Sequence, residues 1–416
     1  MRHLIKMTLM ILVFIFAQRI LAGQFQAGVA KIDITPQIST PLAGYGARNS
    51  AFSTGVRDHI FSRALVISDG ETRVAIVSND ILLILKDLKD EIAKNVADLN
   101  LDGILLTATH THSGPGGYSD IPIVKIAVMG KYVPEYRKFL VEQISRAIRE
   151  ANGNVKPARF GSAIVDAPGY GRNRRHPEES APEDPSLGLV KITDISGKPM
   201  AYLVNYAVHS TIFSERNLEI SGDLAGAIEQ AIEEKEPNAL AMFFAGPLGD
   251  QSPNCQMQEE DVACLNRLGS GLGTEALSGF SKISLTENVR LKLYDEMIDM
   301  PEGNLRKGCW VGLKWLMMPM GKELLRERAE IMAIEINDTL IYGVGAELAV
   351  EVGFHLKAQH PDKKVMVFAH ANDWQGYLLT AEEYDFGGYE ACMSLYGRDF
   401  GPYLEKKYQE MTSESK

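Results

Sequence analysis

Apolar and polar positions along this chain fall into two rhythms. Short, largely apolar runs of strand length span Val29–Thr35, Phe61–Ser68, Arg73–Ser78, Gly103–Thr109 and Leu189–Thr193. Others span Ala201–Val208, Ala239–Phe244, Arg328–Ile336, Thr339–Tyr342 and Lys364–Ala369. Longer stretches with helical spacing of apolar residues span Lys86–Asp98, Pro134–Ala151, Asp223–Glu234, Ala263–Phe280 and Ala346–Gln359. Strands and helices taking turns in this way predict an α/β fold, with mixed β-sheets flanked by helices, in one domain over residues 24–416. No internal repeat or low-complexity linker interrupts it. Gly169–Pro185 is rich in Gly, Pro and charge and reads as a long exposed loop. The tail from Lys406 is charged and is expected to fray.

The pattern differs at the start. Arg2 and Lys6 precede the apolar run Thr8–Ala17, too short to span a bilayer comfortably, and small residues follow at Ala22 and Gly23. Residues 1–23 therefore read as a signal peptide, with an uncleaved N-terminal anchor as the other reading. Either way the body is expected to be exported, periplasmic or secreted. Export permits disulfides, and Cys255 and Cys264, nine positions apart, are the pair expected to bond. Cys309 and Cys392 stand isolated, and no Cys-x-x-Cys occurs.

Composition is ordinary for a globular protein, 45% hydrophobic and 23% charged. The formal net charge of −11 disfavours nucleic acid and strongly anionic membranes as partners.

Apolar strands end abruptly at chemically capable residues, as in α/β folds whose ligand sites gather at strand ends. In Thr107–Gly117 (TATHTHSGPGG), His110 and His112 are one residue apart, so an extended backbone puts both imidazoles on one face. Such a pair can ligate a metal, divide ligation and proton transfer between them, or face solvent in a loop. His209 closes the run Asn205–Ile212 (NYAVHSTI) and alone reads first as a satisfied rim histidine. In Gly246–Asn254 (GPLGDQSPN) a Gly-rich turn displays Asp250 and Ser252. Ser252 is open as a nucleophile, a substrate-binding hydroxyl or a Ser-Pro turn, and no Gly-x-Ser-x-Gly elbow supports the first. Glu347 and Glu351 are four apart on an expected helix, Glu347 being placed to ligate a metal or to answer the helix dipole. Tyr377, Tyr384 and Tyr389 recur in the polar stretch Asn372–Ala391.

Taken in order, GVAKIDITP, PLAGYG, THTHSGPGG, NYAVHSTI, GDQSPN, the glutamate segment and GYLLTAEEY…GGYEA resemble the neutral ceramidase family from about Ala27 to Ala391. The resemblance implies a zinc amidohydrolase domain with one zinc per chain, held by His110, His209, Glu347 and Tyr377. It implies a catalytic set of His112 as acid/base, Arg174 and Tyr389 as donors to the oxyanion, and Ser252. Asp250 and Asn173, beside Ser252 and Arg174, are the substrate-binding candidates. The implied substrate is a lipid-like N-acyl amide, ceramide first, with peripheral membrane contact. Ile121–Val128 and Trp310–Met318 are the apolar runs expected to line its pocket. The chain departs from the family at Pro247, where Asn is usual, and at Arg175-His176-Pro177-Glu178, where a Ser-rich loop is usual. It is also expected to lack the family's C-terminal immunoglobulin-like domain. Three alternatives stand beside this: a zinc amidase for another N-acyl amine, a serine amidase using Ser252, and a non-catalytic exported binding protein.

Overall fold

The computed structural model describes residues 24–176, 181–306, 309 and 324–413. The expected signal segment and the run Trp310–Met318 lie outside them.

Eight strands form the main sheet, in the order Leu240–Ala245, Pro199–Tyr206, Ser186–Asp194, Lys156–Asp166, Gln26–Asp33, Phe61–Ser68, Arg73–Asn79, Gly103–Ala108. The outermost pair at each end is parallel, and the inner neighbours are antiparallel. The joint between its halves is short, Gln26↔Pro157 and Ala27↔Lys156. The halves fold toward each other, so that Ser78 Oγ donates to the Phe243 carbonyl at 2.6 Å although their strands are not ladder neighbours. A second sheet runs Leu291–Asp299, Arg328–Ile336, Thr339–Gly343, Lys364–Phe368, its last pair parallel.

Side chains alternate along each strand, and the two faces meet different layers. Leu65, Ile67, Ile76 and Leu105 meet Met332, Ile334, Ile341 and Met366 of the second sheet in one core. Across that core Phe244 stacks on Phe368 at 4.1 Å. Ala64, Val66, Ala75 and Val77 face the other way, onto Leu140, Ile144 and Ile148 of the helix Pro134–Gly153. The fold is therefore α/β with mixed sheets flanked by helices, as the two rhythms predict.

Several boundaries differ from expectation. The strands Lys156–Asp166 and Leu291–Asp299 were not expected. The first contains Pro157 and Gly161, and the second carries Lys292, Asp295 and Glu296 on partly exposed positions, so neither reads as apolar. The loop Gly169–Pro185 holds a short strand, Gly171–Asn173, paired with Gln251–Pro253. The helix expected from Ala346 starts at Val350, so Glu347 and Glu351 do not share a helix face; Glu347 lies in a two-residue strand. Cys255–Cys264 is bonded, and Cys309 and Cys392, isolated in sequence, form a second disulfide.

One buried ion network ties sheet to helix. Arg63 Nη1 donates to Asp80 Oδ2 at 2.6 Å and its Nη2 forms an ion pair with Glu229 Oε2 at 2.7 Å, all three side chains being almost fully enclosed. Arg63→Ala leaves two carboxylates in a low-dielectric interior without their cation. Removing one partner of such a network costs about 3–5 kcal/mol. Denaturant titration of the variant should show a loss of that size, and a loss within about 0.5 kcal/mol, the level of an ordinary surface change, would refute it.

Candidate metal centre

Strand ends from both sheets converge on one buried point. Gly103–Ala108 leads to His110, Pro199–Tyr206 to His209, Thr339–Gly343 to Glu347 and Lys364–Phe368 to His370. The His110 ring centroid lies 4.9 Å from that of His209, 4.7 Å from that of His112 and 4.0 Å from that of His370.

Hydrogen bonds decide which nitrogens are free. His110 Nδ1 is 2.9 Å from the Leu82 carbonyl, and His209 Nδ1 is 3.0 Å from that of Gln251. A carbonyl only accepts, so each Nδ1 carries the hydrogen and each Nε2 presents a lone pair. Both Nε2 atoms stand 3.6 Å from Glu347 Oε2. Glu347 Oε1 accepts from Trp374 Nε1 at 3.0 Å, while the buried Oε2 has no hydrogen-bond partner among the described residues. Glu347 is the register partner of Tyr377 in the two-residue parallel ladder Glu347–Leu348/Tyr377–Leu378.

This donor set fits a cation. Two lone pairs and an orphaned carboxylate oxygen point together, and zinc ligands bonded at 2.0–2.2 Å sit roughly 3.4 Å apart around a tetrahedral ion. Burial pushes His110, His112 and His370 below the usual imidazole range and His209 down to about 4, so the imidazoles are neutral. Burial by itself would raise Glu347, but attraction to the imidazolium forms that appear in acid, His110 foremost, holds it well below the usual carboxylate range, so it is charged beside the neutral rings. Burial pushes the Tyr377 phenol well up and Glu347 adds to this, whereas Arg174 opposes both.

Other expected residues surround the point. His112 Nε2 is 3.1 Å from His110 Nε2, and its buried Nδ1 has no hydrogen-bond partner among the described residues. Gly44 (φ +99°) makes room for this ring, since a Cβ there would lie 2.6 Å from His112 Cγ. Arg174 donates to the Tyr377 hydroxyl at 3.0 Å, to the Gly249 carbonyl at 2.7 Å and to Glu390 Oε1 at 3.0 Å. Its Nη1 lies 3.4 Å from His209 Nε2. Tyr389 is 57% exposed, with its ring centroid 5.8 Å from that of Tyr377.

The two residues expected to bind substrate are both bonded within the protein. The Asp250 carboxylate accepts from Val350 N, Asn173 Nδ2 and Gln251 Nε2, and so anchors the start of the helix Val350–Ala358. Asn173 donates to Asp250 and the Pro182 carbonyl, and accepts from the backbone of Arg175 and His176. It thereby shapes the turn that carries Arg174. Ser252 lies in the strand Gln251–Pro253, and no histidine is within hydrogen-bonding distance of its hydroxyl among the described residues. Arg175, a departure from the family pattern, bridges Glu383 and Glu390.

Sequence reasoning missed His370, Trp374 and Glu390. His370 had a usable signal: like His209, it stands at the end of an apolar strand. Beside the histidines is a small cavity lined by Leu82, Leu83, Ile123, Val124, Val128 and Met393, with His110, His112, Tyr377 and Tyr389. A larger hollow of about 540 Å³, with Lys86, Asp90, Asp120, Lys125 and Arg326 in its wall, contains none of the converging donors.

Fold and site together define an α/β protein with a candidate histidine–carboxylate metal centre at its strand ends. The family described as neutral/alkaline non-lysosomal ceramidase, N-terminal, matches residues 25–276, and the chain belongs to that family. Neutral ceramidase A of Dictyostelium discoideum is 30% identical over 261 residues, 56% of this chain and 36% of that protein. Neutral ceramidase of Mycobacterium tuberculosis is 28% identical over 242 residues, 51% of this chain and 38% of that protein. This chain thus spans little more than a third of the length of these relatives. Neutral ceramidase of Pseudomonas aeruginosa is 26% identical over 483 aligned residues, 93% of this chain and 71% of that protein. Its crystal structure superposes with a TM-score of 0.80 at 20% identity, over 93% of this chain and 74% of that one.

Proposed function

We propose that this chain is an exported zinc-dependent hydrolase of a linear amide, with N-acyl-sphingosine as its leading substrate. The observation that carries the reading is the convergence of His110 Nε2, His209 Nε2 and the orphaned Glu347 Oε2 beside Tyr377 and an apolar cavity. The names of the relatives support the choice of amide.

His110, His209, Glu347 and Tyr377 would hold one zinc per chain, and a bound zinc supplies Lewis acidity and a nucleophile at neutral pH. His112 would take a proton from the attacking water at Nε2 and deliver it to the amine nitrogen as the carbon–nitrogen bond breaks. Arg174 keeps Nη1 directed into the site while Glu390, Gly249 and Tyr377 hold its other nitrogens. With the Tyr389 hydroxyl it receives the charge that develops on the carbonyl oxygen. Leu82, Ile123, Val124 and Val128 offer an acyl chain an apolar wall, and the expected run Ile121–Val128 supplies much of it. Two disulfides suit an oxidising compartment outside the cytosol. Peripheral contact with a lipid surface follows from the substrate class.

The test is a comparison of kcat/KM for long- and short-chain N-acyl sphingoid bases against N-acyl amino acids. Long acyl chains should lead. Preference for short, charged N-acyl amino acids would defeat the lipid reading and leave a zinc amidase for another N-acyl amine.

A further inference from the structure

The two oxygens of the buried Glu347 carboxylate meet different surroundings. Oε1 accepts from the Trp374 indole N–H at 3.0 Å, whereas Oε2 stands 3.6 Å from His110 Nε2 and from His209 Nε2. The terminal torsion of a glutamate is soft, so its carboxylate turns readily unless one oxygen is held. Trp374 can hold it because its own backbone is fixed on both sides. Its amide donates to Asp373 Oδ1 at 2.8 Å, and Asp373 in turn accepts from the Lys86 amide and from Arg326 Nε, each at 3.0 Å. On the other side the Gln375 amide donates to the Gly345 carbonyl at 2.8 Å. Gly345 permits this approach, since a Cβ there would lie 3.1 Å from the Ala371 carbonyl oxygen and 3.2 Å from that of Asp373. Asn372 pins the same turn to the strand leading to His110, accepting from Leu106 N at 2.8 Å. The indole belongs to the apolar cluster of Leu82, Leu83, Ile123 and Val124. A phenylalanine would serve that cluster as well; what the indole adds is one N–H, and it goes to the carboxylate.

We propose that Trp374 is a positioning residue of the metal centre: by holding Glu347 Oε1 it directs Oε2, and Oε2 alone, at the cation. The inference rests on the metal reading above. A carboxylate with both oxygens free can grip a metal through both. With Oε1 kept on the indole, Glu347 offers a single oxygen and leaves a position for the water that hydrolysis consumes.

The chain has three tryptophans, so the indole ¹H–¹⁵N spectrum of the whole protein holds three signals, and Trp310→Phe and Trp315→Phe assign that of Trp374 by elimination. Zinc added to the metal-free protein should shift the Trp374 signal, whose N–H should exchange slowly with solvent. Trp374→Phe should weaken Zn²⁺ binding by the folded protein ~10–100-fold in chelator competition, the usual effect of losing a group that orients a ligand. A role in packing alone would lower the thermal midpoint and leave zinc affinity unchanged, which would overturn the inference and keep the metal centre. A Trp374 signal that zinc does not move would overturn it too, and the wild-type spectrum gives that answer even if the variant fails to fold. Failure of the wild-type protein to bind zinc would overturn both readings.

Discussion

His209→Ala is expected to empty the metal centre and to lower kcat/KM by at least about 10³-fold, because Lewis-acid stabilisation is worth several kcal/mol and each 1.4 kcal/mol is tenfold. The imidazole is held from behind by the Gln251 carbonyl and faces Glu347 Oε2 at 3.6 Å. Alanine removes the lone pair and leaves Glu347 with one fewer neutral donor beside it. His110→Ala should act alike, since its Nε2 is placed by the Leu82 carbonyl in the same way. Both rings are almost fully buried, so native folding of each variant is verified by circular dichroism. Zinc content by mass spectrometry and turnover are measured on the same preparations. Full zinc occupancy with normal turnover in either variant would show that these nitrogens are not ligands.

His112→Ala should behave differently: zinc stays bound, and kcat falls by ~10²–10⁴-fold, the range of a general acid–base contribution. The distinction rests on where the ring is anchored. His110 and His209 each fix one nitrogen on a carbonyl, whereas among the described residues His112 Nδ1 has no hydrogen-bond partner and its Nε2 faces another imidazole at 3.1 Å. Its position comes from packing, in the space left by Gly44 and against Tyr45 with ring centroids 4.8 Å apart. A group held by packing can gain and lose a proton without breaking a scaffold bond. Loss of zinc from this variant would mean that the ligand is His112 and the proton carrier one of its neighbours.

Strand-end logic made much of the site legible. His110, His209 and the segment after Leu240–Ala245 were recognisable because apolar runs stop abruptly at polar residues. Where burial is one-sided the apolar signal fails, which is why Lys156–Asp166 and Leu291–Asp299 read as irregular. Helical spacing misled at Glu347: the apolar residues of Ala346–Val352 are consistent with a helix, but the chain stays extended to pair Glu347 with Tyr377. Asp250 and Asn173 are polar residues beside a site, and their spacing alone cannot say whether their bonds go to a ligand or to the backbone. His370 ends an apolar strand as His209 does, but a single histidine between alanines carries no spacing that would pair it with His110, on which the second sheet lays it.

Closure of the two sheet halves has a consequence for assembly. The candidate donors come from positions 110, 209, 347 and 377, on segments that meet only when the Ser78–Phe243 contact and the second sheet are in place. The unfolded chain holds no local chelate beyond the His110/His112 pair, so tight coordination is a property of the finished tertiary structure. A cation that binds only this state adds its binding free energy to folding and does nothing to start it. Metal uptake therefore counts correctly folded molecules, and a stoichiometric titration would serve as an assay of refolding yield for any variant that keeps the donors.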